Sequence, residues 1–190
     1  MKRILFLASL ILSAAVSAFS QGTANNSTPQ VIEWNEYYDL TWQDFKGKRP
    51  DDAAGDAGTV VQIKARPFLI KNEVDYDVYA LFIKDKSWTE AFTAPLLAHE
   101  KLHFDIAELY ARKIRKKIAE LRAEKVTKVD AFNLAIEELL QESNEVDMQY
   151  DIETLHGAMT GKQKEWAEKV KSELNGLRAF KKRKRIIRAG

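Results

Sequence analysis

No cysteine occurs among the 190 residues. Disulfides are therefore excluded, and so are a thiolate nucleophile, a thiolate metal ligand and a lipid-bearing cysteine as a lipoprotein anchor. Any metal must be held by His, Asp or Glu. Histidine is scarce too, with three in the chain. Beyond the N-terminus no segment approaches the roughly eighteen apolar residues that a spanning helix needs. The sequence has no glycine-rich phosphate loop, no internal repeat and no Ser/His/Asp arrangement that would compete for the histidines.

What is present at the N-terminus reads as a secretory signal peptide over residues 1–20. Lys2 and Arg3 supply the positive start, Ile4 to Val16 an almost unbroken apolar stretch, and Ser17, Ala18 and Ser20 the small residues before cleavage. Cleavage after Ser20, or alternatively after Ala18, leaves about 170 residues, enough for one domain with a real core and no covalent staples. The expected destination is periplasmic or extracellular. Residues 21–30 are polar and unpatterned, a flexible leader ahead of a single domain over 31–180.

The formal charge of +2 hides a division. Setting aside Lys2, Arg3 and the six basic residues between 181 and 188, the body holds 22 basic and 28 acidic side chains, a net of −6. Residues 181–190 form a basic tail, expected as a solvated end able to contact anionic surfaces. No nucleic-acid partner is expected for an acidic body.

From Val31 to about Trp88 the pattern is β-like. Val60, Ile63 and Phe68 to Ile70 give short apolar runs, and Val74, Tyr76 and Val78 alternate into a buried strand through Ile83. Asp51 to Gly58 is a loop by composition, and Lys71-Asn72-Glu73 a hairpin connection. After Trp88 the chain turns helical. Thr93 is an N-cap with Pro95 in the first turn, and the helix runs to about Arg122. Its inward stripe passes through Leu96, His99, His103, Ile106, Tyr110, Ile114, Ile118 and Leu121. Asp130 caps a second helix reaching about Tyr150, and a third amphipathic segment runs from Lys162 to Phe180. The fold class is α+β: an N-terminal antiparallel sheet followed by a zincin-like helical part.

His99-Glu100-Lys101-Leu102-His103 fits the His-Glu-x-x-His pattern of zinc metallopeptidases. Three fixed positions of this rarity match by accident about once in tens of thousands of windows. Residues four apart on a helix lie one above the other, so His99 and His103 can direct nitrogens at one Zn²⁺ while Glu100 acts as general base on water. Catalytic zinc takes three protein ligands. Tyr150-Asp151-Ile152-Glu153-Thr154-Leu155-His156-Gly157 is dense in suitable side chains and follows a helix able to pack antiparallel on the first. His156 is the first choice for the third ligand, with Glu153 and Asp151 as alternatives. Carboxylates left over, Asp105 among them, would orient the imidazoles. Tyr110 or Tyr150 would be the oxyanion donor.

Trp88, the run Leu96 to Ile106 with His99-Glu100-Lys101-Leu102-His103-Phe104-Asp105, the block Tyr150-Asp151-x-Glu153-Thr154-x-His156-Gly157, and Gln163-x-x-Trp166 together resemble a bacterial family. It is a family of predicted secreted zinc-dependent proteases, a domain of unknown function with a His-Glu-x-x-His-Phe-Asp motif. The resemblance runs from about Val31 to Leu174, tight in the two motif blocks and loose in the β-rich part. It implies the zinc helix and a downstream Asp-x-x-Thr-x-His element, which favours His156 as the third ligand. Lys101 stands where many members carry glutamine, on a surface-facing position. The expectation is an exported metallopeptidase with one Zn²⁺ per chain and a peptide or protein substrate. The alternative is a non-catalytic zinc-containing or metal-free envelope binding module.

Overall fold

The structure, a computed structural model, describes residues 30–70 and 73–182. The signal segment, nearly all of the leader and residues 183–190 of the tail lie outside the described residues.

Two long strands, β3 (Val61–Ile70) and β4 (Glu73–Ile83), pair antiparallel from Val61↔Phe82 to Ile70↔Glu73. This is the expected hairpin, although Lys71 and Asn72 at its tip lie outside the described residues. A short β1 (Val31–Glu33) pairs with the other side of β4, giving the order β1-β4-β3 and leaving one edge of β3 without a strand among the described residues. β2 (Ala57–Gly58) and β5 (Trp88–Thr89) form a separate two-stranded ladder. Because side chains alternate along a strand, Tyr76, Val78, Ala80 and Phe82 join the main core, while Tyr79, Leu81 and Ile83 cluster on the opposite face.

Three helices follow: α1 (Ala94–Ala123), α2 (Val129–Thr154) and α3 (Thr160–Gly176). The α1 N-terminus is as expected, with Pro95 in its first turn and the Thr93 hydroxyl accepting from the Leu96 N–H at 3.4 Å. α1 is the shared wall of two cores. Phe104, Ala107, Ala111, Ile114 and Ile118 pack toward the sheet, whereas Leu102, Ile106, Leu109 and Tyr110 pack with Tyr150, Trp166, Val170 and Leu174 of the other helices. A helix buried on two sides cannot be read from a single apolar stripe.

Three expectations are corrected. Lys128, not Asp130, holds the N-cap of α2; Asp130 falls in the first turn, where its charge suits the helix dipole. α2 runs to Thr154 rather than Tyr150, so Asp151 and Glu153 are helical. The last segment stops being α-helical at Gly176 and finishes as a 3₁₀ turn over Arg178–Phe180. That turn is tied down by a buried cluster. Glu108 accepts from Arg112 Nε at 2.9 Å and Arg115 Nη1 at 3.1 Å, and the same guanidinium groups donate to the Leu174 carbonyl at 2.7 Å and the Phe180 carbonyl at 3.1 Å. Of the tail expected as a solvated end, the two described residues are held: Lys181 pairs with Glu36, and Lys182 with Glu33 at 2.7 Å. Among the described residues no helix is long and apolar enough to cross a membrane.

Asp44 anchors the loop ahead of the sheet. Its carboxylate accepts from the Thr41 main-chain N–H at 3.0 Å and the Tyr38 hydroxyl at 2.9 Å, and pairs with Lys84 at 3.0 Å. Burial pushes this carboxyl up, but Thr41, Lys84 and Tyr38 outweigh it and hold the pKa below its ordinary value. A depressed pKa stabilises the fold above the unfolded-state value, and the benefit disappears as pH falls through the folded one. Asp44→Asn should therefore cost about 1–3 kcal/mol at pH 7. In urea melts the gap between variant and wild type should narrow as pH falls below the ordinary aspartate value of about 3.9; a pH-independent gap would contradict this account.

Candidate metal centre

Two helices build the site in antiparallel register. His99 and His103, one turn apart on α1, face Asp151 and Asp147, one turn apart on α2. His99 Nε2 lies 3.0 Å from Asp151 Oδ1, and His103 Nδ1 lies 2.7 Å from Asp147 Oδ1. The two Nε2 atoms are 3.3 Å apart, and His103 Nε2 is 3.2 Å from the same Asp151 oxygen. His156 Nδ1 comes to 3.4 Å of that oxygen. The ligand atoms of His99, Asp151 and His156 all lie within 4.8 Å of one another, a group able to hold a metal ion.

The remaining imidazole contacts decide what kind of site this is. His99 Nδ1 faces Gln163 Oε1 at 3.1 Å, and His103 Nδ1 faces the Asp147 carboxylate. Each Nδ1 thus has an acceptor that holds its proton there, which leaves both Nε2 lone pairs free. Those lone pairs converge with a carboxylate oxygen, and no neutral donor lies between the three atoms. Such a convergence needs a positive charge. Burial would lower the His103 pKa, yet the hydrogen bonds and charges of Asp147 and Asp151 raise it to about 10. Asp151, pushed up by burial, is driven down harder by His103 and His99. Without a metal ion, a second proton on His103 would supply that charge; a bound cation would take its place. Ligands about 2.0–2.1 Å from tetrahedral zinc are separated by about 3.3–3.4 Å. The separations of 3.0, 3.2 and 3.3 Å found here fit that figure with little movement.

Glu100 is 3 % exposed, and its Oε2 atom has no hydrogen-bond partner among the described residues. Burial raises its pKa, against the pull of His103, the Thr59 hydroxyl and His99. A buried orphan carboxylate oxygen is costly and calls for a function.

The chain leaves α2 through three successive left-handed residues, Leu155 at φ 49°, His156 at φ 51° and Gly157 at φ 86°. Thr154 fastens this turn, its hydroxyl donating to the Tyr150 carbonyl at 2.7 Å and accepting from the Gly157 N–H at 3.3 Å. Gly157 has a second reason to be glycine: a Cβ there would lie 2.9 Å from His99 Cβ. The turn thereby buttresses one imidazole while presenting another, His156, whose side chain is 58 % exposed.

Several expected roles are not met. Glu153 points away from the cluster, accepting from Trp166 Nε1 at 2.8 Å and Gln149 at 2.7 Å. Asp105 serves no imidazole; it accepts from the Trp34 indole at 2.8 Å. The Tyr110 hydroxyl is committed to Glu142 at 2.7 Å. Tyr150 is fully buried, with its hydroxyl 2.7 Å from Gln163 and 3.2 Å from the His99 carbonyl, and its ring stacks on His99 at 4.7 Å. Its contacts place it behind His99 and Gln163. Two further residues belong to the site. The sequence motif that contains Gln163 assigns it no role. Asp147 stands four residues before Asp151, a spacing that puts both carboxylates on one face of α2.

Residues 83–157 match a family described as bacterial protein of unknown function (DUF922). No curated protein and no solved structure matches the chain. The matched span begins at the end of β4 and closes on the turn that carries His156, so it takes in every proposed ligand.

Replacing Asp147 with Asn should weaken metal binding by about 10–100-fold, because the carboxylate fixes the His103 tautomer. Gly157→Ala should cost about 1–3 kcal/mol through its positive φ, and should also weaken metal binding by displacing His99. Isothermal titration with zinc checks both. Equal affinities in wild type and Asp147→Asn would remove Asp147 from the site.

Proposed function

We propose that the protein is an exported zinc-dependent hydrolase, a metallopeptidase whose helical part is zincin-like and holds one Zn²⁺ per chain. The carrying observation is the unpartnered, buried Glu100 oxygen beside a convergent His/His/Asp donor set. His99, His103 and Asp151 are the ligands in this reading, with His156 as the remaining nearby donor. When bound, zinc in such a set is a Lewis acid that polarises a carbonyl and brings the pKa of water toward neutrality.

The chain's own residues supply the rest. Glu100 Oε2 accepts a proton from the attacking water as the oxygen bonds to the carbonyl carbon. It then delivers that proton to the amine nitrogen as the C–N bond breaks. A carboxylate whose pKa is raised by burial is better matched to this task at neutral pH than a solvated one. Asp147 and Gln163 hold the two imidazoles in one tautomer and orientation, and Tyr150 packs behind them. The family match is in keeping with this reading without naming an activity.

A second reading has one observation in its favour. With His156 as a fourth donor the coordination shell would be closed, and the metal would be structural. Glu100 argues against it, since a closed site has no use for a buried, unpaired base.

Purified protein should contain about one zinc per chain, lost on chelation and absent from a His99→Ala, His103→Ala double variant. Glu100→Gln should keep the metal and the melting temperature while casein hydrolysis falls by at least ~10²-fold. Unchanged hydrolysis would show that Glu100 is not the base. Full metal with no hydrolysis in the wild type would favour the structural site.

A further inference from the structure

Among the described residues β3 has no strand on its outer side. An open edge offers a row of main-chain N–H and C=O groups to any extended chain that comes alongside. The ladder fixes which groups these are. The Ile83 N–H donates to the Val60 carbonyl at 2.9 Å, and Gln62 lies opposite Leu81. Because main-chain groups alternate sides along an antiparallel strand, Val60 and Gln62 turn theirs toward β4, and Val61 and Ile63 turn theirs outward.

Outward here means into a groove. Residues 59–63 form one wall of a cleft of about 380 Å³, with Ile106 and Ala107 of α1 at its base and Ser143, Asn144 and Asp147 of α2 across from the strand. The groove adjoins the metal centre through two of its lining residues. Asp147 in its far wall is the carboxylate that holds His103, and Thr59 at the head of the strand places its hydroxyl 3.4 Å from the Glu100 carbonyl.

We propose that this groove seats the main chain of the substrate: an extended polypeptide segment that adds to β3 as a further strand and carries its scissile bond past Glu100. The inference rests on the hydrolase reading above and names the substrate class for it. Residues 59–63, of which Val61 to Ile63 belong to β3, span roughly 16 Å if extended at about 3.3 Å each, so the cleft takes a segment of about that length. A folded domain cannot enter a slot between a strand and a helix, so the segment must be unfolded or a flexible loop. The N–H and C=O groups of Val61 and Ile63 recognise peptide backbone of any sequence. Small residues at Ala107 and Ser143 leave room for the bound side chains.

The test uses the zinc-loaded Glu100→Gln protein with β-casein as the unfolded probe, and reads amide hydrogen exchange residue by residue. Casein should slow exchange at Val61 and Ile63 at least tenfold and leave Gln62, already bonded to β4, and the amides of α3 unchanged. Asn144→Trp, a substitution at an exposed position that fills the groove, should abolish this protection with zinc content and melting temperature unaltered. Unchanged exchange at Val61 and Ile63, or full protection in Asn144→Trp, overturns the proposal. Protection without casein cleavage by the wild type would overturn the hydrolase reading and keep the groove; cleavage without protection would do the reverse.

Discussion

The register between α1 and α2 is the constraint on which the site depends. Advancing one turn along α1 from His99 to His103 means retreating one turn along α2 from Asp151 to Asp147, so two imidazoles meet two carboxylates in sequence. Tyr110 with Glu142 continues the same register further along. A slip of one residue would rotate every carboxylate by about 100° and leave both histidines without partners in the core. Buried imidazoles and carboxylates are tolerable only when their charges and hydrogen bonds close on one another. This pairing therefore specifies how the helices lie, at the expense of requiring a proton or a metal ion at its centre.

Rigidity comes from the position of α1 between two cores. The sheet grips it through Phe104, Ala107 and Ala111, and the other helices through Leu102, Ile106 and Tyr110. The polar turn at His99–His103 lies near the start of α1. At the middle of the helix the Glu108, Arg112 and Arg115 cluster binds the carbonyls that finish α3 and the 3₁₀ turn. A donor set held on packed helices, with its outer hydrogen bonds already made, needs little rearrangement to accept an ion.

The parts legible in the sequence are those governed by local periodicity. His99, Glu100 and His103 follow from helical spacing, the Thr93 cap from its chemistry and the β3–β4 hairpin from alternation. The convergence of Asp151 and His156 on the pair followed from composition, because few other ligands exist in a chain without cysteine. What stayed hidden was set by tertiary register. Asp105, four residues before a buried leucine, looked suited to orient an imidazole, but its face of α1 meets Trp34. Glu153 is two residues from Asp151, and on a helix that puts it on the far side. Asp147 was the recoverable miss: a pair of aspartates four apart on α2 mirrors a pair of histidines four apart on α1. The exit from α2 could not be read locally, since it uses a leucine and a histidine in left-handed conformations that neither favours.

Helical geometry also explains why, among the described residues, the Glu100 Oε2 atom is left without a hydrogen-bond partner. His99 and His103 share the face turned to α2, where Asp147 and Asp151 take up their hydrogen bonds. Glu100 is one residue on, about 100° around the axis, and so leaves that face for the side where Thr59 and the start of β3 lie. It is close enough for the charges of His103 and His99 to act on it, yet outside the ladder that would neutralise it. The same rotation places the unpaired acid on the side of the helix that borders the groove. Ligands and base are separated by a single step along the chain: one face of α1 faces the carboxylates that hold the imidazoles, and the next faces the strand edge open to an extended chain.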